Sequence, residues 1–156
     1  MKRLYCLILC LVLSICYSST TLASDYTDSS TTIEVLDDGS YIETTIETTP
    51  SINLFVVTST KSGKKTSSHK DSSGRTLWSV TVNGTFSYNG TSSKCTSSTI
   101  STTCPSSMWK LSGKSASKSG ATATASVVGK KYGNGTVTKT INRSVSLTCS
   151  KTGKLS

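Results

Sequence analysis

Histidine is all but missing from this 156-residue chain, with His69 the only one. Proline occurs twice, at Pro50 and Pro105, and aromatic residues are sparse. From Ser51 to Ser156 there is a single acid, Asp71. Each absence removes a class of chemistry. One histidine and scattered cysteines do not make a zinc ligand set, so no metal or cofactor is expected. A body with one carboxylate lacks the paired acids that glycoside hydrolysis requires. His69-Lys70-Asp71 among many serines superficially suits a hydrolase. On a strand, however, Asp71 projects to the same face as His69 without orienting its ring, and no Gly-x-Ser-x-Gly elbow is present. His69 therefore reads as a solvated turn residue, and no enzyme is expected. Asp37-Asp38-Gly39 with Glu43 lacks the EF-hand spacing and reads as a turn.

Long apolar runs are also lacking, save one. Leu4 to Ile15 is broken only by Tyr5, Ser14 and cysteines, and it follows the positive pair Lys2-Arg3. It falls short of the roughly 20 residues of a bilayer-spanning helix. Thr21-Leu22-Ala23 before Ser24 supplies a small-x-small cleavage site, so residues 1–23 read as a secretory signal. The expected product is extracellular, either released or associated with the cell surface.

What remains divides by charge. Residues 24–50 carry seven acids and no base, and residues 51–156 carry fifteen bases and one acid. A body this basic attracts anionic partners at long range. The candidate anion-binding residues are Lys61, Lys64 and Lys65, then Lys110, Lys114 and Lys118, then Lys130 and Lys131. Lysine outnumbers arginine, which favours diffuse attraction over bidentate phosphate recognition. With export and no aromatic stacking platform, nucleic acid is not an expected partner. Trp78 and Trp109 read as core residues.

Three cysteines lie beyond the signal: Cys95, Cys104 and Cys149. Outside the cell cysteines usually pair. Cys95–Cys149 would close a loop of about 55 residues, worth roughly 4 kcal/mol in the chain-entropy account; Cys95–Cys104 is the rival pairing. Serine and threonine fill roughly two-fifths of the chain, which leaves a thin core that a bridge would support.

Periodicity indicates strands throughout. Two β-prone runs flank Asp37-Asp38-Gly39 and predict an acidic hairpin, with a break at Pro50. Leu54 to Val57 predicts a short strand and Lys64 to His69 a polar one. Between Leu77 and Tyr88, Trp78, Val80, Val82, Phe86 and Tyr88 alternate with polar residues, the period of a half-buried strand. Gly84 on that apolar face marks a bulge or a close backbone contact. Further strands are expected around Lys94 to Ser97, at Met108 to Ser112, from Ala121 to Val127 and from Val137 to Cys149, with a basic loop at Lys114 to Gly120. In the last strand Lys139 and Arg143 share a face with Val137, Ile141, Val145, Leu147 and Cys149, a defect that a sheet edge or a bulge would explain. Cys149 then points inward, which suits a bridge to Cys95. Short strands, Gly/Asn/Ser turns and no amphipathic helix predict an all-β fold: a small antiparallel β-sandwich of about seven strands (residues 51–156), preceded by an acidic hairpin or arm (24–50).

The stretches LDDGSYIETTIE (36–47), TLWSVTVNGTFSYNGTSSKCTSS (76–98), WKLSGKSASKSGATATAS (109–126) and SVSLTCS (144–150) resemble a family of small secreted Ser/Thr-rich proteins of Gram-positive, largely gut-dwelling bacteria. The resemblance implies export and an all-β domain, with no known activity or catalytic residues. SGKSASKSG and the overall plan are also similar to the lactococcin-972-like bacteriocins, which are cationic secreted β-sandwich proteins. The expected function is a secreted, non-catalytic binding or structural module of the cell envelope or extracellular space, its basic face towards anionic cell-wall polymers, glycans or a membrane surface. The alternative is a bacteriocin-like antagonistic protein.

Overall fold

The chain alternates β-prone runs with residues that turn easily, and each turn lays the next strand beside the last. A computed structural model describes residues 29–49 and 58–156. The expected signal at 1–23, residues 24–28, the expected break at Pro50 and the expected strand from Leu54 to Val57 lie outside the described residues. The elements are β1 (Ser29–Val35), β2 (Tyr41–Thr48), β3 (Ser59–Lys70), β4 (Thr76–Tyr88), β5 (Ser93–Thr103), β6 (Trp109–Ser119), β7 (Thr122–Gly133) and β8 (Thr136–Thr148). Among the described residues there is no helix. All pairings are antiparallel, in a five-stranded sheet ordered β1-β2-β3-β4-β5 and a three-stranded sheet ordered β6-β7-β8. The fold is an all-β sandwich in which only the β5–β6 connection changes layer. Among the described residues there are eight strands: six, β3 to β8, where about seven were expected in the basic domain, and two from the acidic hairpin, which joins the larger sheet, β2 pairing with β3 from Tyr41↔Lys70 to Thr48↔Gly63. At the β1–β2 turn Gly39 adopts φ +76°, which its missing Cβ permits.

Alternation sorts β4 as expected. Trp78, Val80, Val82 and Phe86 are buried and face Ala123, Ala125 and Val127 of β7 with Val145 and Leu147 of β8. Fully burying a side chain such as Phe86 contributes about 2–3 kcal/mol. Small residues opposite the indoles make room for them, and a Cβ on Gly129 would lie 3.0 Å from the Trp78 ring. At Gly84 both expected features occur. The Phe86 ring lies over the glycine, where a Cβ would sit 2.6 Å from ring carbons. One residue on, the β4–β5 register slips between Thr85 and Phe86. Past β8 the chain turns back, Cys149 bridging to Leu155, so that Leu155 closes one end of the core.

The Ser/Thr richness has a structural use. On the outward faces hydroxyls pair across strands: Thr66 with Thr81 (2.8 Å), Ser79 with Thr103 (2.8 Å), Thr122 with Thr148 (2.9 Å) and Thr124 with Ser146 (3.0 Å). Such pairs contribute about 0.2–1 kcal/mol each. One element departs from the sequence reading. Lys114 to Ser119, all but the last residue of the loop expected at Lys114 to Gly120, belongs to β6, and the turn is Gly120-Ala121. That half of the strand carries no apolar alternation; its ladder to β7 holds it.

Candidate functional site

The two cations that broke the apolar stripe of β8 hold the acidic hairpin. The β7–β8 register slips between Lys131 and Tyr132, which turns Val137 outward to 47% exposure. From Lys139 onward the inward row is continuous, so Lys139 and Arg143 project between the layers. They do so where β1 and β2 overhang the three-stranded sheet. Lys139 Nζ reaches Asp38 Oδ2 at 2.6 Å. Arg143 Nη1 reaches Glu34 Oε2 at 3.0 Å, Nε donates to Ser67 Oγ (2.8 Å), and Nη2 donates to Thr44 Oγ1 (3.2 Å). No strand of the three-stranded sheet packs its backbone against β1 or β2 among the described residues. These long side chains therefore make the bridge.

Beneath this clasp lies His69. The sequence reading of a solvated turn histidine is overturned: His69 is on β3, 1% exposed. It packs edge-on against Trp109 (5.0 Å between centroids) and Trp78 (5.4 Å). The register places His69 opposite Trp78 on β4 and Ile42 on β2, which drives it into the core. Its Nε2 lies 3.0 Å from Ser40 Oγ, and Ser40 Oγ donates to Asp38 Oδ1. With the serine proton committed to Asp38, His69 Nε2 must be the donor, and Nδ1 is left buried without a partner. A serine nucleophile needs the opposite polarity, with the histidine accepting the serine proton and the carboxylate on the far ring nitrogen. Burial, followed by the positive charge of Lys139, pushes the His69 pKa below its ordinary value. The bonds from Lys139 and Ser40 hold the Asp38 carboxyl far below the usual carboxylate range. Asp71 is remote from this chemistry and organises the β3–β4 turn, accepting from the Ser73 and Arg75 amides and pairing with the Arg75 guanidinium.

No family model matches the chain, and neither a curated protein nor a solved structure is significantly similar to it.

The eight candidate lysines do not form one patch. Lys64 lies on the outward face of β3 and is paired with Glu47 at 3.1 Å. Lys61 and Lys65 stand opposite Phe86 and Val82, on the inward side of the same strand. The other five are on the three-stranded sheet. There Lys110 and Lys130 are direct cross-strand neighbours, Lys131 faces Trp109, Lys114 sits by the β6 bulge, and Lys118 Nζ donates to the Thr96 carbonyl. Sequence reasoning missed Asp38, Ser40 and Ser67 as partners of the clasp, and Lys139 and Arg143 as its arms. The one signal was the pair of cations on an apolar stripe.

The expected Cys95–Cys149 bridge is absent, as is Cys95–Cys104. All three cysteines are free thiols, Cys95 and Cys149 buried and Cys104 exposed. Each donates to a backbone carbonyl: Cys95 to Ser97 (3.2 Å), Cys149 to Ser150 (3.4 Å) and Cys104 to Trp109 (3.3 Å). Burial raises all three pKa values. The thiolate that would attack in disulfide exchange is correspondingly scarce. Among the described residues no group of three or more His, Cys, Asp and Glu side chains converges as a metal site would require.

Proposed function

We propose that this protein is an exported, non-catalytic binding module of the bacterial envelope, and that its three-stranded sheet faces anionic polymers or glycans. One observation carries the reading. Five of the six acids among the described residues, all but Asp37, are spent on ion pairs with specific partners, and the three-stranded sheet has none of its own. Glu34, Asp38, Glu43, Glu47 and Asp71 pair with Arg143, Lys139, Lys70, Lys64 and Arg75. β6, β7 and β8 carry seven cations and no acid, and the hairpin compensates only Lys139 and Arg143. Lys110, Lys114, Lys118, Lys130 and Lys131 have no acidic partner among the described residues. Of these, Lys110 and Lys130 stand on the outward face with Lys114 at the β6 bulge, whereas Lys118 and Lys131 lie in the inward rows of Ala123 and Trp109; with no acid on the sheet to offset them, they create a positive potential. Flexible lysines suit a repeating phosphate or carboxylate chain, which offers charge without fixed geometry.

Retention of the purified protein on isolated Gram-positive cell walls, measured across a salt series, tests the proposal. Retention that falls steeply between low and physiological ionic strength is the expected result, because the screening length shortens from about 30 Å at 0.01 M to about 8 Å at physiological ionic strength. Retention independent of salt would exclude an electrostatic contact.

A further inference from the structure

Large apolar side chains are exposed in two places, at Ile33 and Val35 on β1 and at Met108 and Val137 beside the three-stranded sheet. The second pair is part of an ordered surface. The Tyr132 amide donates to the Met108 carbonyl at 2.8 Å, and Tyr132 stands opposite Val137 in the β7–β8 ladder. Met108, Tyr132 and Val137 thus form one row across the sheet. The neighbouring row is Lys110, Lys130 and Thr140, in register on β6, β7 and β8. Lys110 Nζ lies 5.1 Å from the Tyr132 ring centroid, so the two rows share a face.

This arrangement carries two costs. Like charges directly opposite each other on a sheet repel, and no acid on this sheet relieves Lys110 and Lys130. Met108 and Val137 leave apolar surface in water at 50% and 47% exposure. A single kind of partner offsets both: a surface with anionic headgroups above hydrocarbon. Lysines there gain from the surface potential, a tyrosine ring settles at headgroup depth, and apolar side chains enter the acyl boundary. A soluble polyanion would neutralise the lysines and leave Met108 and Val137 in water. The other exposed pair, Ile33 and Val35, lies on a hairpin that carries no base of its own and ends at the unpaired Asp37, so nothing on it attracts an anionic surface.

We infer that this end of the three-stranded sheet docks on an anionic lipid bilayer, with Met108 and Val137 entering the acyl boundary and Lys110 and Lys130 on the phosphates. The inference rests on the envelope reading of the basic sheet and names one partner for it.

Co-sedimentation of the purified protein with vesicles of phosphatidylcholine alone, or mixed with phosphatidylglycerol, tests it. Binding is expected only to the mixed vesicles. The Lys110→Ser/Lys130→Ser variant should bind about 25-fold more weakly, at about fivefold per charge. The Met108→Ser/Val137→Ser variant should lose about tenfold from reduced apolar burial. An Ile33→Ser variant should bind as the wild type does. All four substituted positions in the patch are on the surface, and near-ultraviolet circular dichroism checks that the variants remain folded. Wild-type binding by the Met108/Val137 variant would overturn insertion. Retention on cell walls with no binding to vesicles would overturn lipid docking and leave the envelope reading standing, whereas binding to neither would overturn both.

Discussion

Acidification from pH 7.5 to 5.5 should destabilise this protein through His69 alone. The side chain is 1% exposed, its Nδ1 has no partner, and two indole edges and Lys139 surround it. A proton on Nδ1 would place a charge in that nest, so the folded pKa lies below the ordinary 6.5. In the unfolded chain the imidazole titrates normally. Below pH 6.5 the unfolded state therefore binds more protons than the folded one, and stability falls as pH falls. The contribution is complete above 6.5 and is lost on descent towards the folded pKa. The slope approaches about 1.4 kcal/mol per pH unit. Integrated between pH 7.5 and 5.5, the loss is at most about 1.4 kcal/mol, or a melting temperature lower by about 5 °C. Asp38 stays ionised throughout, because Lys139 and Ser40 hold its pKa far below this window. Urea unfolding followed by tryptophan fluorescence measures the effect, since Trp78 and Trp109 are both buried. His69→Phe should lower stability at every pH, because it strips Ser40 of a partner, but should abolish the slope. A variant that retained the wild-type slope would refute the reasoning, as would a wild type equally stable at both pH values.

Other expectations follow from single contacts. Arg143→Met removes an ion pair to Glu34 and hydrogen bonds to Ser67 and Thr44; it should cost about 2 kcal/mol in urea and speed amide exchange in β1, and unchanged exchange there would show that the clasp does not hold the hairpin. Gly129→Ala places a Cβ 3.0 Å from the Trp78 ring and should cost about 1–3 kcal/mol by overpacking, read from the same unfolding curves. With a maleimide at neutral pH, Cys104 should react first, while Cys95 and Cys149 wait for unfolding; mass spectrometry of the labelled peptides would expose any other order.

The inward row of β4 was legible because Trp78, Val80, Val82 and Phe86 alternate with polar residues and one face must be dry. The β1–β2 turn was legible because Asp37-Asp38-Gly39 has few other uses. The extent of β6 was not, since Ser and Lys on both faces leave no period to read and the strand is held by its ladder to β7. His69 was misread for a related reason. A histidine flanked by Ser68 and Lys70 looks solvated in sequence, and only the pairing of β3 with β4 sets it against Trp78. Lys139 and Arg143 registered as a defect in the β8 stripe, yet their meaning required knowing that the hairpin overhangs that stripe. Long-range pairing of charges is invisible to local pattern, and Arg143 lies 109 residues from Glu34.

The most direct test of the proposed role compares cell walls that keep their anionic polymers with walls stripped of them, at one physiological ionic strength. The protein should sediment with the first and stay in solution with the second, and Lys114→Ser/Lys118→Ser should reduce retention on the intact walls. Equal retention on both, or on neither, would contradict an acid-free sheet acting as the binding face.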